Sequence, residues 1–261
     1  MVNLLKNTKV CVPPKAFTLA EVLITLGVIG VVAALTLPAL INKYQKVVIT
    51  NRFKKAYSLV SQAIKQVEVN NGAPLECYIW PESRGGLRCL EYTEEGNCKQ
   101  WEHSDTYVYG ANSECTKFMS EFEKTVKIIK ICENKALEQG CIPEYNGTDT
   151  IYKEKNDDAS DKDVNINTSG THWWRKQEIA KARKAYVLSD GTILLMSGWA
   201  GMNIFAIDVN GKSKPNKWGY DIFAFSVVGD IDKSPWLAPS PQVSVVEKGG
   251  KSTKQMLQNI K

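Results

Sequence analysis

One carboxylate in this chain lies in surroundings that disfavour charge. Glu21 is the only ionisable side chain in FTLAEVLITLGVIGVVAALTLPALI, the 25 residues from Phe17 to Ile41. A carboxylate inside an apolar span costs about 2.5–3.5 kcal/mol on insertion scales unless it reaches the headgroups or meets an opposite charge. Glu21 therefore reads either as a side chain snorkelling to the interface or as half of an ion pair. A second oxygen-rich group lies far downstream. Asp208-Val209-Asn210-Gly211 is followed by Pro215-Asn216 and then by Asp221. Asp and Asn oxygens one residue apart before a glycine can begin a calcium loop, and Asp221 could return a further carboxylate. The same residues also make a tight Asp/Asn/Gly turn between strands, and the acidic spacing and closing Glu of an EF-hand are missing.

Sulfur is the third chemistry. The chain holds seven cysteines, of which Cys11 stands apart and Cys77, Cys89, Cys98, Cys115, Cys132 and Cys141 follow the apolar run. Six is an even number, as an exported domain with disulfides would have, while free buried thiols remain the alternative. There is no CxxC pair and only His103 and His172 could add nitrogen, so a zinc site fits poorly. Six cysteines allow 15 connectivities, and spacing alone does not choose among them.

Enzymatic chemistry finds no foothold. No nucleophile elbow, phosphate loop, HExxH or paired-acid motif stands out, so no catalytic residue is assigned and the chain is not expected to be an enzyme. His172-Trp173-Trp174 with Arg175, Lys176, Lys181, Arg183 and Lys184 could form an aromatic and basic surface for DNA or sugar. Glu178 dilutes that charge. The formal net charge is +5, and removing Lys6, Lys9 and Lys15 leaves 5 − 3 = +2. A helix with its rings in the core is the preferred reading, and nucleic acid is not expected as a partner.

The elements that must position these groups follow from periodicity. At 1.5 Å per residue the apolar run is long enough to cross the roughly 30 Å hydrocarbon layer, and it lacks the short apolar core and small-residue ending of a cleaved signal peptide. Beyond it Phe53, Ala56, Tyr57, Val60, Ala63, Ile64 and Val67 recur at helical spacing, with Asn70-Asn71-Gly72 as a stop. Span and stripe together predict one helix from about Phe17 to about Asn70, roughly 80 Å long. Residues 72–113 read as a loop region stapled by sulfur. The spacing of Phe118, Phe122, Val126, Ile129 and Cys132 predicts a second helix over 114–132. Residues 140–169 read as an exposed loop. Ala185–Leu188 and Thr192–Ser197 around Ser189-Asp190-Gly191 predict a hairpin, and residues 202–209 and 222–228 two further strands, four antiparallel strands in all. Residues 235–261 read as weakly structured.

Lys15-Ala16-Phe17-Thr18-Leu19-Ala20-Glu21-Val22-Leu23-Ile24 resembles the prepilin peptidase motif of type IV pilins and type II secretion pseudopilins. The resemblance implies a cut between Ala16 and Phe17, methylation of the new amino terminus, and pairing of Glu21 with the α-amine of a neighbouring subunit's Phe17. Pro38 matches the helix-kinking proline that such pilins commonly carry, and counts with Phe17 and Glu21 as an assembly residue. Ala16 departs from the family's usual Gly. The Asp208 to Phe223 stretch is similar to a C-terminal element of pseudopilin-like proteins, some of which hold calcium there, so Asp208, Asn210 and Asp221 are the candidate ligands.

The resemblance implies a leader at 1–16, a transmembrane and filament-core helix at 17–41, its amphipathic continuation at 42–70 and an exported globular domain at 71–261. The expected fold is α+β and pilin-like, a long N-terminal helix on a C-terminal antiparallel sheet with disulfide-stapled loops. The expected function is a structural subunit of a type IV pilus or type II secretion pseudopilus. Its expected partners are prepilin peptidase, other pilin or pseudopilin subunits and an inner-membrane assembly platform. It would cross the bacterial inner membrane once, with its domain outside the cytoplasm, and then enter an extracellular or periplasmic filament. The competing expectation is a membrane-anchored binding module, a DNA or glycan receptor at a filament tip.

Overall fold

The computed structural model describes residues 18–79, 89–92, 98–101, 110–111, 113–151, 174–197, 204–230, 233–240 and 245–260. The chain divides into two compact units, Met1–Val47 and Val48–Lys261. Helix α1 spans Leu19–Asn71, with Pro38 inside it. In the first unit most of its described side chains are exposed, Leu19 to 77% and Leu35 to 76%. Its most apolar stretch has a mean hydropathy of 2.4 and is unburied, which makes this helix long and apolar enough to cross a membrane.

The second unit is built on a mixed sheet. Short β1 (Tyr78–Ile79), β2 (Cys89–Tyr92), β3 (Cys98–Trp101) and β4 (Gly110–Ala111) precede helix α2 (Cys115–Thr125) and β5 (Ile128–Cys132). A π-helical turn at Glu178–Ala182 leads into β6 (Ala185–Leu188), β7 (Ile193–Met196), β8 (Ile204–Asp208), β9 (Ile222–Asp230) and β10 (Lys233–Pro239), and helix α3 (Thr253–Gln258) follows. The main sheet runs β4-β1-β9-β8-β7-β6-β5 with β10 also on β9, while β2 and β3 pair separately. From β5 to β9 every pairing is antiparallel, and β1 joins β9 in parallel at Ile79 and Val228. The purely antiparallel sheet expected from the sequence is therefore corrected to a mixed one. A two-residue strand carries no period from which it could have been read.

The amphipathic stripe packs as its spacing predicts. Phe53, Ala56, Val60, Ala63, Ile64 and Val67 are buried, and the Phe53 ring meets Phe223 edge-on at 4.8 Å. They close over one face of the sheet together with Phe118, Met119 and Phe122 of α2. Gly72 ends α1 in the left-handed region at φ +80°, its N–H bonded to the Glu68 carbonyl at 2.9 Å, the usual reason for glycine just past a helix.

The opposite face is covered as well. Ala185, Ile193, Leu195, Ile204, Ala206 and Ala224 alternate with the residues under α1 and pack against Trp174, Trp218, Tyr145 and Ile151. Burial on both sides explains why β7 and β8 read as continuous apolar runs rather than alternating ones. Part of the expected exposed loop over 140–169 thus belongs to the core, since Ile142, Tyr145, Thr148 and Ile151 are buried; residues 152–169 lie outside the described residues.

Two further expectations are corrected. The second helix stops at Thr125, where Val126 turns extended at φ −106° and ψ 140°, and Ile128–Cys132 forms strand β5. Val-Lys-Ile-Ile-Lys-Ile is a β-branched run whose stiff side chains favour a strand over a helix. Strand β5 ends the sheet, with Ile129 and Ile131 exposed beside Lys130. The C-terminal segment is structured rather than loose. Trp236 and Leu237 of β10 lie opposite Val228 and Val227. Ser252 and Gln255 form a reciprocal capping box on α3, and buried Glu247 accepts from the Trp218 N–H and Asn146 Nδ2.

Candidate functional site

At the start of α1 the backbone amides have no partners inside the helix, so a side-chain acceptor there is stabilising. Thr18 and Glu21 supply one reciprocally. The Thr18 N–H and hydroxyl both donate to Glu21 Oε2 at 2.8 Å, and the Glu21 N–H donates to Thr18 Oγ1 at 3.2 Å. This is a capping box, and it leaves Glu21 Oε1 without a donor among the described residues. Ala16, Phe17 and the expected leader lie outside the described residues. Pro38 stands within the helix, as its position in the apolar run suggests.

Four of the six candidate cysteines form disulfides. Cys77 pairs with Cys115 and Cys132 with Cys141, all four buried. The first ties the end of α1's following turn to α2, and the second ties β5 to the segment that covers the far face of the sheet. The side chains of Cys89 and Cys98 lie outside the described residues.

The structure brings Asp208, Asn210 and Asp221 together. Asp208 closes β8, Ile222 opens β9 opposite it, and the Val209 N–H donates to the Asp221 carbonyl at 2.9 Å. Both carboxylates are buried, with Asp208 2% and Asp221 0% exposed. Asp208 Oδ2 accepts the Tyr145 hydroxyl at 2.7 Å and Oδ1 accepts the Asn210 N–H at 3.1 Å. Asp221 accepts the Asn216 and Lys217 N–H groups, each at 2.7 Å. Among the described residues neither acid forms an ion pair. Burial, with the charge of Asp221 behind it, pushes the Asp208 carboxyl up to about 8 against its hydrogen bonds. Asp221 is also raised, first by burial. Burial and the neighbouring acids hold the Tyr145 phenol well above its ordinary range.

This arrangement has two chemical uses. The backbone donors show the carboxylates organising the turn from 208 to 222, which includes the cis peptide before Pro215. These oxygens are also of the type that a hard cation takes. Asn210 Oδ1 and Asn216 Oδ1 are buried and lack a hydrogen-bond donor, so two acids and two amide oxygens gather without enough donors or positive charge. Among the described residues no group of three or more His, Cys, Asp or Glu side chains assembles. The amides would therefore have to complete such a ligand set. Asn216 and Tyr145 were not singled out as ligands or supports from the sequence; Tyr145 stands 63 positions from Asp208 and only the fold joins them.

Part of the aromatic and basic stretch is engaged within the fold. Trp174 is fully buried, its ring 5.3 Å from Trp218, which agrees with rings anchored in the core. Lys176 pairs with Glu144, Arg183 with Glu178, and Lys184 with Glu123 and Glu133. Tyr186 also donates to Glu123, at 2.6 Å. The expected helix after Trp174 is short, a π-helical turn at Glu178–Ala182. His172 and Trp173 lie outside the described residues.

Residues 39–163 match a described family, "Family of unknown function (DUF6613)". The match covers the end of the apolar run through β5 and leaves out β6 to β10. No curated protein and no solved structure matches the chain.

Proposed function

We propose that this chain is a pilin-like structural subunit, a major or minor component of a type IV pilus or type II secretion pseudopilus. One observation carries the reading. An exposed apolar run whose only acid, Glu21, sits in the first turn of α1 leads into a unit with buried disulfides. A helix that exposes so much apolar surface needs lipid or other helices around it, and buried disulfides belong to an oxidising compartment.

On this reading prepilin peptidase removes residues 1–16, and the helix from Phe17 anchors the subunit in the bacterial inner membrane with its domain outside the cytoplasm. An assembly platform then transfers it into a filament of like or related subunits. Glu21 has one carboxylate oxygen committed to Thr18 and the other open to a neighbour's α-amine, so capping and pairing are compatible. The chain's work is assembly, not catalysis. A calcium ion held by Asp208 and Asp221 with Asn210 and Asn216 would neutralise two buried acids and stiffen the loop between β8 and β9.

The direct test is the mass and N-terminal sequence of the protein recovered from membranes of cells that contain the peptidase. A chain beginning at methylated Phe17 is expected. A chain that keeps Met1, or is cut beyond Ile41, would overturn the proposal.

A further inference from the structure

Strand β5 is the last strand of the main sheet, and among the described residues β6 is its only partner. Every second N–H and C=O of such a strand points away from its neighbour, which is a template for another extended chain. Side chains opposite one another across a strand pair share a face of the sheet. Ile131 lies opposite Tyr186, part of the core under α1 and α2, whereas Lys130 lies opposite Val187, which packs on the far core. Ile129 is 65% and Ile131 42% exposed. An open groove of about 600 Å³ runs between α2 and β5, lined in part by Ser120, Val126, Ile128 and Ile131. The edge is also positively charged. Lys127 and Lys130 are exposed, and neither forms an ion pair among the described residues. Lys130 donates to the Gln139 carbonyl, which holds the ammonium in place without cancelling its charge. The acid that lines the groove, Glu123, is engaged by Lys184 and Tyr186, and Lys124 is paired with Glu121.

We propose that the outer edge of β5 binds an extended segment of another protein in which apolar residues alternate with carboxylates. The segment adds as a strand, its apolar side chains entering the groove beside Ile131 and its carboxylates meeting Lys127 and Lys130. Main-chain hydrogen bonds supply the affinity, and the alternation of groove and charge selects the sequence. The Cys132–Cys141 disulfide fixes the end of β5, so the edge is held in place before binding. The site lies within the Val48–Lys261 unit and does not depend on the role of the apolar run.

The test uses the full chain in detergent micelles and a capped hexapeptide of alternating glutamate and valine. Affinity is read by fluorescence anisotropy, the site by amide hydrogen exchange, and folding of each variant by thermal melts. The peptide should bind the wild type and slow exchange within Ile128–Cys132. A hexapeptide of alternating lysine and valine should bind about ten-fold or more weakly. K127E/K130E should lose roughly ten-fold in affinity for the glutamate peptide, and K127R/K130R should keep it. If K127E/K130E melts early, Lys127→Glu alone should still cost about three-fold. The glutamate peptide methylated on every backbone nitrogen should not bind, because it has no N–H to give the strand. Absence of binding, equal binding of the two charges, binding of the methylated peptide, or protection confined to other segments would each overturn the proposal.

Discussion

At the scale of single residues, Glu21 caps α1 and, on the proposed reading, has a second, separable task. Its carboxylate closes the capping box with Thr18, and its charge is available to a second partner. Gln closes a capping box nearly as well as Glu but carries no charge. Glu21→Gln should therefore keep the helix start and the peptidase cut, yet enter sheared filaments at least ten-fold less than wild type, as Glu21→Ala should. Normal assembly of the Gln variant would show that capping was the whole role. Asp208 makes a prediction of opposite kind. Its carboxyl is raised to about 8 in the fold, from about 4 when unfolded, so the fold binds a proton that the unfolded chain releases. Stability in the presence of a chelator should be greatest below about pH 4 and should decline as pH rises towards 8, insofar as Asp208 sets it, with Asp221 adding to the same trend. Asp208→Asn should flatten that decline in a series of thermal melts, and added calcium should restore stability at pH 8 only when Asp208 is present. These acids were legible in the sequence because they sit close together around Asn and Gly. Tyr145 was not, because its approach depends on a covering segment that no local pattern announces.

At the scale of elements, the turn after β8 and the turn between β6 and β7 lean on each other. Gly211 has φ +63°, and a Cβ there would stand 2.2 Å from the Gly191 carbonyl oxygen, itself in the hairpin turn. Both the backbone conformation and the close approach demand glycine. Gly211→Ala should destabilise the second unit by at least about 1–3 kcal/mol in denaturant melts, whereas Gly27→Ala, with open space around it, should not. The hairpin and the amphipathic stripe were readable because Asp-Gly turns and helical periods are local signals. The boundary between α2 and β5 was misread because Phe118, Phe122 and Val126 carry a helical period straight into a β-branched run. Helix α3 had a signal that could have found it, since Ser252 and Gln255 stand in the spacing of a capping box. Strand β10 was hidden by Pro235 and Pro239, which argue against a strand until an edge position is known.

At the scale of the whole chain, charge and sulfur point to opposite topologies. Lys6, Lys9 and Lys15 precede the span, whereas Lys43, Lys46, Arg52, Lys54 and Lys55 follow it within 15 residues of Ile41. Counting basic flanks alone places the C-terminal side in the cytoplasm. Disulfides argue for the outside, because cytosolic reductants keep thiols free. The disulfides should prevail: protease added to intact spheroplasts is expected to digest the Val48–Lys261 unit, and thiol alkylation without prior reduction should leave Cys77, Cys115, Cys132 and Cys141 unlabelled. A protected domain with reactive cysteines would reverse the orientation. The α+β class and the long apolar helix could be read from the sequence, because both rest on composition and period. The mixed sheet and its second covering layer could not, because they join residues far apart in the chain.

Strand β5 has a further consequence. Among the described residues no strand pairs with its outer edge, to which another chain's strand could add, and Ile129 and Ile131 make that edge sticky. Lys127 and Lys130 interrupt it with like charges that repel an identical strand brought alongside, so they act as gatekeepers against aggregation. On the proposed reading the subunit becomes concentrated before it is used, and the two lysines would guard this edge of the sheet.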